Sequence, residues 1–441
     1  MTGKTAAGGT CTCAAFGGMG IIGVYVALAL APLALAAIVA LQGNGLAAEL
    51  GSGLALAGYA MLLMQFLLTG RFRTISGRVG IDVILRLHQI AARMLTVMVL
   101  LHPFIYWSSL ARMMATPAFA SGIVAWLLLV LLMAMALLRP RLAIAYECWR
   151  ASHGVLAVLI ALAGLHHALA VGSLSAALAL RCFWIALAAL ALYTLLYSYL
   201  VRPWLQLRDP WRIAEVRALG PARWLVALEP ENRALAFDAG QFAWLKVGPH
   251  PFTLRENPFS IVSAPGARRV EFVIREAGDF TSTIGALVPG TRAWLDGPHG
   301  AFTLAAAGGA KRIVMLAGGV GLAPCLSMLR AAAAAGARRA YHLIFGNRCE
   351  DQIVPKDAIA ALVPVLDLKI DYVLSEPPAG WTGAIGQMTP ETLLPLLSSG
   401  DIAETVFYLC GPPPMVTASL RALAALGVPP AHIVTERFDY D

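Results

Sequence analysis

Four histidines, His88 and His102 in one apolar stretch and His153 and His166 in another, carry the chemistry most easily read from this chain. Imidazole is expensive inside hydrocarbon, so a histidine in a membrane helix is read first as a functional group. Fourteen residues separate the first pair and thirteen the second. At about 1.5 Å rise per residue, each pair spans roughly 20 Å along its helix. Two such helices side by side present two opposed His–His pairs, one near each membrane face. That geometry suits two stacked haems, each iron held by an imidazole from either side. A lone histidine in an apolar helix is often only a hydrogen-bonder of the bundle, but two matched pairs on two co-directional spans are much harder to obtain by chance. Fourteen residues at about 100° each return nearly to the same helix face, whereas thirteen miss by more. His167 matches His153 better than His166 does on an ideal helix, so spacing leaves both open.

A second set of motifs lies in the C-terminal half. Asn257-Pro258-Phe259-Ser260 follows a turn and opens a strand, where backbone and a hydroxyl can hold a flat ring system. Gly278-Asp279-Phe280-Thr281-Ser282-Thr283 precedes an expected short helix over 282–287, and hydroxyls with backbone N–H groups at a helix start suit a pyrophosphate. Each fragment alone is weak, since Ser or Thr before a helix is usually a plain cap; their order and spacing give them weight. The run Gly318-Gly319-Val320-Gly321-Leu322-Ala323-Pro324 sits between an expected strand and helix, where glycines let the backbone approach a dinucleotide phosphate. Cys410-Gly411-Pro412-Pro413 ends a later strand at the same edge, placing a thiol and a rigid turn where a nicotinamide ring would lie.

The elements that must position these groups divide the 441 residues in two. The chain is 59% hydrophobic, yet its 33 basic and 25 acidic side chains fall mostly after residue 201. Six apolar segments, about 21–41, 54–69, 81–107, 122–138, 152–171 and 178–200, approach the length that spans a bilayer. Arg71, Arg73 and Arg78, then Arg139, Arg141 and Arg150, then Arg202 and Arg208 flank alternate ends, while the opposite loops hold Glu49, Arg112 and Arg181. This asymmetry predicts both termini and the C-terminal half in the cytoplasm. The net charge of +8 follows from the same arginines, and no basic run interleaved with aromatics points to nucleic acid. Seven scattered cysteines, of which only Cys11 and Cys13 lie close, form no zinc set and no expected disulfide.

After Pro203 short alternating runs broken by Gly and Pro, at 223–229, 242–247, 259–262, 270–275 and 292–295, predict a small antiparallel barrel. From Lys311 strands and helices alternate: strands at 312–316, 341–345, 369–374, 405–410 and 433–435, helices at 325–335 and 415–426. This predicts a parallel doubly wound sheet with ligands at the carboxyl ends of its strands. The expected organisation is a cytoplasmic segment 1–20, a six-helix transmembrane bundle 21–201, an antiparallel β-barrel flavin domain 211–305 and an α/β nucleotide-binding domain 311–441.

Residues 211–441 resemble the ferredoxin-reductase-type FAD and NAD(P)H module through Pro-Phe-Ser, Gly-Asp-Phe-Thr, Gly297-Pro298-His299-Gly300, the glycine loop and Cys-Gly-Pro-Pro. With the six-span bundle and its histidine pairs, the chain from about residue 20 onward resembles the ferric reductase and NADPH oxidase superfamily, prokaryotic homologues included. The resemblance implies two haem b, FAD and NAD(P)H, with NADPH slightly favoured, and His88, His102, His153 and His166 as iron ligands. It implies flavin contacts from Asn257, Pro258, Phe259, Ser260, Gly278, Phe280, Thr281 and Ser282. Nucleotide contacts fall to Gly318, Gly319, Gly321, Pro324, Arg348, Cys410, Gly411 and Pro412. Asn257 stands where the family usually has His. Phe438 and Tyr440 are the candidates for an aromatic stacked on the flavin, Phe438 with Cys410 at the hydride-transfer site. Arg86, Arg93 and Arg150 are candidates for haem propionates or are topology-setting charges.

The expected activity is transmembrane electron transfer in a bacterial-type inner membrane, from cytosolic NAD(P)H to an outer acceptor: dioxygen, a ferric chelate, a quinone or a protein partner. Oxygen-reducing members resemble one another in an extra outer His; Tyr106 stands at that position here. A transporter with a redox-sensing domain would need a broken helix at mid-membrane, for which Pro32 and Pro103 are the candidates.

Overall fold

A computed structural model of the chain describes residues 10–39, 45–106, 114, 116–142, 144–170, 176–397 and 402–436. Phe438 and Tyr440 lie outside the described residues, as do the side chains of Cys11 and Cys13. Two compact units emerge: Gly18–Arg71 with Val83–Arg202, and Met1–Gly17 with Phe72–Asp82 and Pro203–Asp441.

Among the described residues, six helices are long and apolar enough to cross a bilayer. They are the first to sixth spans: Thr10–Val39, Leu46–Thr69, Ile81–Ile105, Pro117–Leu138, Tyr146–Ala170 and Leu178–Leu196. Helix therefore starts at Thr10, well before the apolar run expected from 21, because Gly and Thr lower hydropathy without stopping helix propagation. The fourth span starts at a defined cap: Pro117 occupies the first turn and the Thr116 hydroxyl accepts from Phe119 N–H at 3.3 Å. The sixth continues through a π-turn, Tyr197–Val201, into Arg202–Gln206. There Arg202 donates to the carbonyls of Gly70 (2.7 Å) and Arg71 (3.1 Å), so a residue expected only to set topology caps the second span's C-terminal end.

Tyr59, Leu63, Met64, Leu95, Ile160 and Trp184 centre the core of this unit. Tyr59 donates to Ala161 O at 2.8 Å and tilts against Trp184 with centroids 5.1 Å apart. Tyr106, at the end of the third span, donates to Ala48 O at 2.6 Å and lies 2.7 Å from Ser52 Oγ, fastening that end to the start of the second.

Among the described residues, the other unit holds two six-stranded sheets. The first has order β4-β3-β6-β1-β2-β5, with β1 Trp211–Gly220, β2 Arg223–Pro230, β3 Phe242–Val247, β4 Asn257–Ser260, β5 Val270–Arg275 and β6 Arg292–His299. All its pairs are antiparallel. Its edges meet beyond β4 through the Ile261–Phe272 bridge and Val262 N–H donating to Glu271 O at 2.8 Å. Strand β1 escaped the sequence reading because its register shifts between Ile213 and Glu215, breaking the period of two. Phe242, Phe272, Ile261 and Leu228 fill the core beneath. Helix Arg73–Val79 belongs to this unit and packs on β6.

The second sheet is parallel, in the order β10-β9-β8-β7-β11-β12. Its strands are β7 Arg312–Gly318, β8 Ala340–Asn347, β9 Leu368–Leu374, β10 Ala384–Ile385, β11 Thr405–Cys410 and β12 Ile433–Glu436. Helices Leu322–Ala334 and Pro413–Ala425 follow β7 and β11, two or three residues ahead of the expected starts. Separate apolar clusters cover its two faces, one around Met315, Leu326 and Phe345, the other around Leu316, Val416 and Leu423. The short Ala384–Ile385 strand carries too few residues to show a period.

Candidate electron-transfer sites

In the parallel sheet the chain doubles back after β9 and β10, so β7 and β11 are the adjacent strands from which connections leave in opposite directions. Open α/β sheets bind ligands at that switch point. Both nucleotide motifs end there. A Cβ built on Gly321 would lie 2.2 Å from Cys410 O, and one on Gly318 would lie 2.3 Å from Met415 Sδ. Only glycine lets the Gly321 backbone meet that of Cys410, whereas Gly318 meets the Met415 side chain, and Gly319 adds a φ of +54°. Pro324 is buried in the following helix, whereas Pro412 is exposed before the next one. A cleft opens beside the loop, lined by Arg223, Val273, Gly319, Val320, Gln352 and Pro355 among others.

Arg348, at the end of β8, is exposed and donates to Glu376 at 2.9 Å. Nearby, Glu350 pairs with Lys356 at 2.9 Å.

Cys410 faces Glu436 across β11 and β12. Glu436 stands two residues before Phe438, one of the two expected aromatics, and carries no motif of its own in the sequence. Burial pushes its carboxyl well above the carboxylate range, with Asp82 adding to the shift. The glycine of Gly297-Pro298-His299-Gly300 makes room for it, since a Cβ on Gly300 would lie 2.7 Å from Glu436 Oε1. Burial likewise pushes up the Cys410 thiol, so it is a thiol and not a thiolate at neutral pH.

The two flavin motifs also meet. Phe259 of β4 stacks on Phe280, with centroids 6.3 Å apart and planes 27° apart. Asn257, Pro258 and Phe259 are half-buried and Ser260 is buried, paired with Leu245, Trp244, Ala243 and Phe242 of β3. The expected helix is a 3-10 segment, Thr281–Ala286. Thr281 Oγ1 accepts from Ala277 N–H at 2.7 Å and donates to Gly278 O at 3.1 Å, while Ser282 Oγ donates to Asp279 O at 3.0 Å. These hydroxyls shape the turn, and Gly278 is exposed at its start. Beside β4 lies a buried pair invisible in the sequence: Lys246 Nζ sits 3.4 Å from Glu256 and donates to Gln206 and Pro251 O, each at 3.2 Å.

In the membrane unit, His88 and His153 lie close enough to interact electrostatically. Their Nδ1 atoms are buried with no hydrogen-bond partner, and Trp149 Nε1, one turn before His153, is likewise buried and unpartnered. The Trp149 and His153 rings are 5.1 Å apart. Such orphaned polar atoms each cost about 1–3 kcal/mol in a closed core. Among the described residues no cluster of three or more His, Cys, Asp or Glu could hold a bare ion. A haem asks for only two imidazoles, because the porphyrin fills the equatorial positions, so the residues present fit that group.

At the outer level His102 Nδ1 donates to Val99 O at 2.7 Å. His166 is exposed with Nδ1 2.8 Å from Ser121 Oγ, and His167 is half-buried with Nδ1 2.7 Å from Ala118 O. Arg86 and Arg93 are exposed; Arg150 is half-buried with its guanidinium 5.7 Å over the Tyr199 ring.

Comparison with known proteins agrees with this division. Residues 54–164 match the family described as ferric reductase like transmembrane component, and residues 315–421 match the oxidoreductase NAD-binding domain. Ferredoxin–NADP reductase B of Sorangium cellulosum is 36% identical over 239 residues, 52% of this chain and 96% of that protein. NADH-cytochrome b5 reductase 1 of Laccaria bicolor is 32% identical over 42% of this chain, which spans 60% of the relative's length. Among solved structures, the ferredoxin reductase in carbazole 1,9a-dioxygenase is 25% identical with a TM-score of 0.46, over 52% of this chain and 69% of that one. The protein is an integral membrane oxidoreductase of the ferric reductase and NADPH oxidase type, in which a ferric-reductase-like transmembrane component is fused to a ferredoxin–NADP-reductase-like FAD and NAD-binding module.

Proposed function

We propose that the chain moves electrons from cytosolic NAD(P)H across the membrane to a small acceptor at the outer face, through two bis-histidine haems. The observation that supports this reading is the buried Nδ1 atoms of His88 and His153, which have no hydrogen-bond partner, inside the ferric-reductase-like unit. His88 with His153 holds the inner haem; His102 with a histidine of the fifth span holds the outer one. Trp149, Arg86, Arg93 and Arg150 are the donors for the inner propionates. The alternating arginines support cytoplasmic termini in a bacterial-type inner membrane.

The β1–β6 sheet, read as the flavin barrel, holds FAD along Asn257–Ser260 and at the Gly278–Ser282 turn. The glycine loop, Pro324, Arg348 and Gly411–Pro412 hold the dinucleotide. Cys410 stands at the edge proposed for hydride transfer, and Phe438 or Tyr440 is the candidate aromatic for the flavin. Bound flavin and haem supply the conversion of one hydride into two single electrons and their passage through hydrocarbon. The chain's own residues orient the nicotinamide, keep water from the hydride and seat each iron. One NAD(P)H thus serves two acceptors and leaves one proton on the cytoplasmic side.

Dioxygen, reduced to superoxide, is the acceptor of the main reading. A ferric chelate is the second, favoured by Tyr106: its hydroxyl is engaged by Ala48 and Ser52 and is not presented to an incoming oxygen. A transporter reading is disfavoured, since Pro32 and Pro103 lie inside continuous helices. The test is the absorbance of purified protein: a dithionite-reduced b-type spectrum with about two haems per chain is expected, and protein free of haem after expression with added haem precursor would end the proposal.

A further inference from the structure

We propose that the turn after β3 is a lipid-contact finger: Phe252 at its tip, with Trp204, Leu205 and Leu207, enters the headgroup layer of an anionic bilayer leaflet. The inference rests on the membrane character of the chain and not on its redox reading.

The first support is how the chain arrives at this sheet. The helix Arg73–Val79, which joins the second and third spans, packs on β6. The helix Arg202–Gln206, which continues the sixth span, reaches the same strand, because Gln206 Nε2 donates to Leu295 O at 3.1 Å. Gln206 Oε1 accepts from Lys246 Nζ of the neighbouring strand β3 at 3.2 Å, and the same ammonium donates to Pro251 O at 3.2 Å. Lys246 is buried and paired with buried Glu256, so the joint is fixed from inside the sheet. It holds the turn that carries Phe252 beside the end of the helix that leaves the membrane.

The second support is what the two segments expose. Pro251 is buried, yet Phe252 beside it is 43% exposed, and Trp204, Leu205 and Leu207 are 53%, 39% and 44% exposed. A single exposed apolar residue is ordinary on any surface. Four on two segments tied to one lysine form a patch that asks for a partner.

The third support identifies the partner as lipid. The apolar helix Leu178–Gln206 has 29 residues. That is roughly 44 Å of helix against a hydrocarbon core of about 30 Å, which leaves its last turns at the headgroup level. Tryptophan and arginine anchor helices there, and the Arg208 guanidinium lies 4.9 Å over the Trp204 ring. The exposed charges of the two segments are Arg208 and Arg255 against Asp209, since Lys246 engages Glu256. An excess of arginine beside aromatic side chains suits anionic headgroups.

The test uses the full chain in nanodiscs of phosphatidylcholine with phosphatidylglycerol. Photo-reactive p-benzoylphenylalanine is introduced in place of Phe252 or, as control, of Val365, which is 58% exposed in the turn before β9. Both positions are open to solvent, so the probe fits without repacking, and a monodisperse gel-filtration peak checks the fold. Irradiation should attach lipid at position 252 at about tenfold the control yield, and phosphatidylcholine alone should lower that yield by about twofold or more. Lipid adducts no more frequent than at position 365 overturn the proposal, as does a yield indifferent to phosphatidylglycerol. A cross-link between two chains at position 252 also overturns it, because a second copy would then cover the face. None of these readouts uses haem, flavin or nucleotide, so failure of the electron-transfer reading is separately visible as a chain without haem.

Discussion

Cys410 and Glu436 face each other as register partners on the parallel strands β11 and β12, both buried at the carboxyl edge where the glycine loop ends. Burial raises both groups, so Cys410 is a thiol at neutral pH and the Glu436 carboxyl holds its proton well above the usual carboxylate range.

The raised carboxyl links stability to pH. An unfolded Glu titrates near about 4.3, and the folded Glu436 well above that. Between the two values the unfolded chain has lost the proton and the folded chain has kept it, so stability falls as pH rises through the window. Its contribution is fully present below the unfolded value and lost towards the folded one. Glu436→Gln should flatten this dependence, raising the temperature of flavin release at about pH 8 relative to about pH 5 when compared with wild type. Parallel shifts of both proteins would refute the assignment.

The contact between Gly321 and Cys410 O is backbone against backbone, so it cannot yield as a side chain would. Gly321→Ala should raise the KM for NAD(P)H by about tenfold or more, roughly 1.4 kcal/mol or above. The dithionite-reduced spectrum should stay unchanged, because the membrane unit is a separate compact body. An unaltered KM would show that the loop does not hold the dinucleotide.

Phe280 stacks on Phe259 and so fastens the turn Gly278–Thr283 to strand β4. Aromatic pairs of this kind contribute about 0.5–1.5 kcal/mol beyond buried area. Phe280→Ala should weaken FAD retention by up to about tenfold, measured by flavin released on gel filtration, while Phe280→Tyr should retain it. Equal retention in the alanine variant would detach this turn from the flavin.

Local motifs were legible because a glycine loop or a Pro-Phe-Ser strand start states a backbone requirement within a few residues. Gly318–Gly321 and Cys410–Pro412 could be read separately, and strand alternation predicted that they share an edge. What could not be read depends on partners distant in sequence or on small angles. Glu436 meets Gly300 and Asp82 only after folding. Lys246 finds Glu256 and Gln206 across a loop and a domain start. His166 and His167 differ by one helical step, too fine for a hydropathy pattern. The bulge in β1 hid a ten-residue strand.

Arg348 is the expected partner of a 2′-phosphate, yet Glu376 already engages it at 2.9 Å. Both side chains are exposed, so the pair is weak, on the order of 0–1 kcal/mol. A doubly charged phosphate would compete for the same guanidinium. Glu376→Gln should therefore lower the KM for NADPH by about threefold and leave that for NADH within about twofold. Equal changes for the two nucleotides would place the 2′-phosphate elsewhere.

The proposed haem ligation bears on the acceptor. An iron held by an imidazole on each side would have no open site, so an outer acceptor would take its electron at the haem edge. Tyr106 does not alter this, because its hydroxyl is committed to Ala48 O at 2.6 Å and Ser52 at 2.7 Å. On that reading, oxygen reduced in this way would leave as superoxide. In detergent, NAD(P)H should drive cytochrome c reduction that superoxide dismutase suppresses, and ferric citrate should compete for the same electrons. Tyr106→Phe removes one hydrogen-bonded hydroxyl, worth about 1 kcal/mol of stability, and should change the rate with oxygen by less than about twofold, since the phenol supplies no proton to the acceptor. A tenfold fall in that variant would make Tyr106 part of the oxygen site. Oxidation of NAD(P)H that stops without air and is not rescued by ferric chelates would exclude the ferric reading, and haem reduced by NAD(P)H but reoxidised by neither acceptor would point to a quinone or a protein.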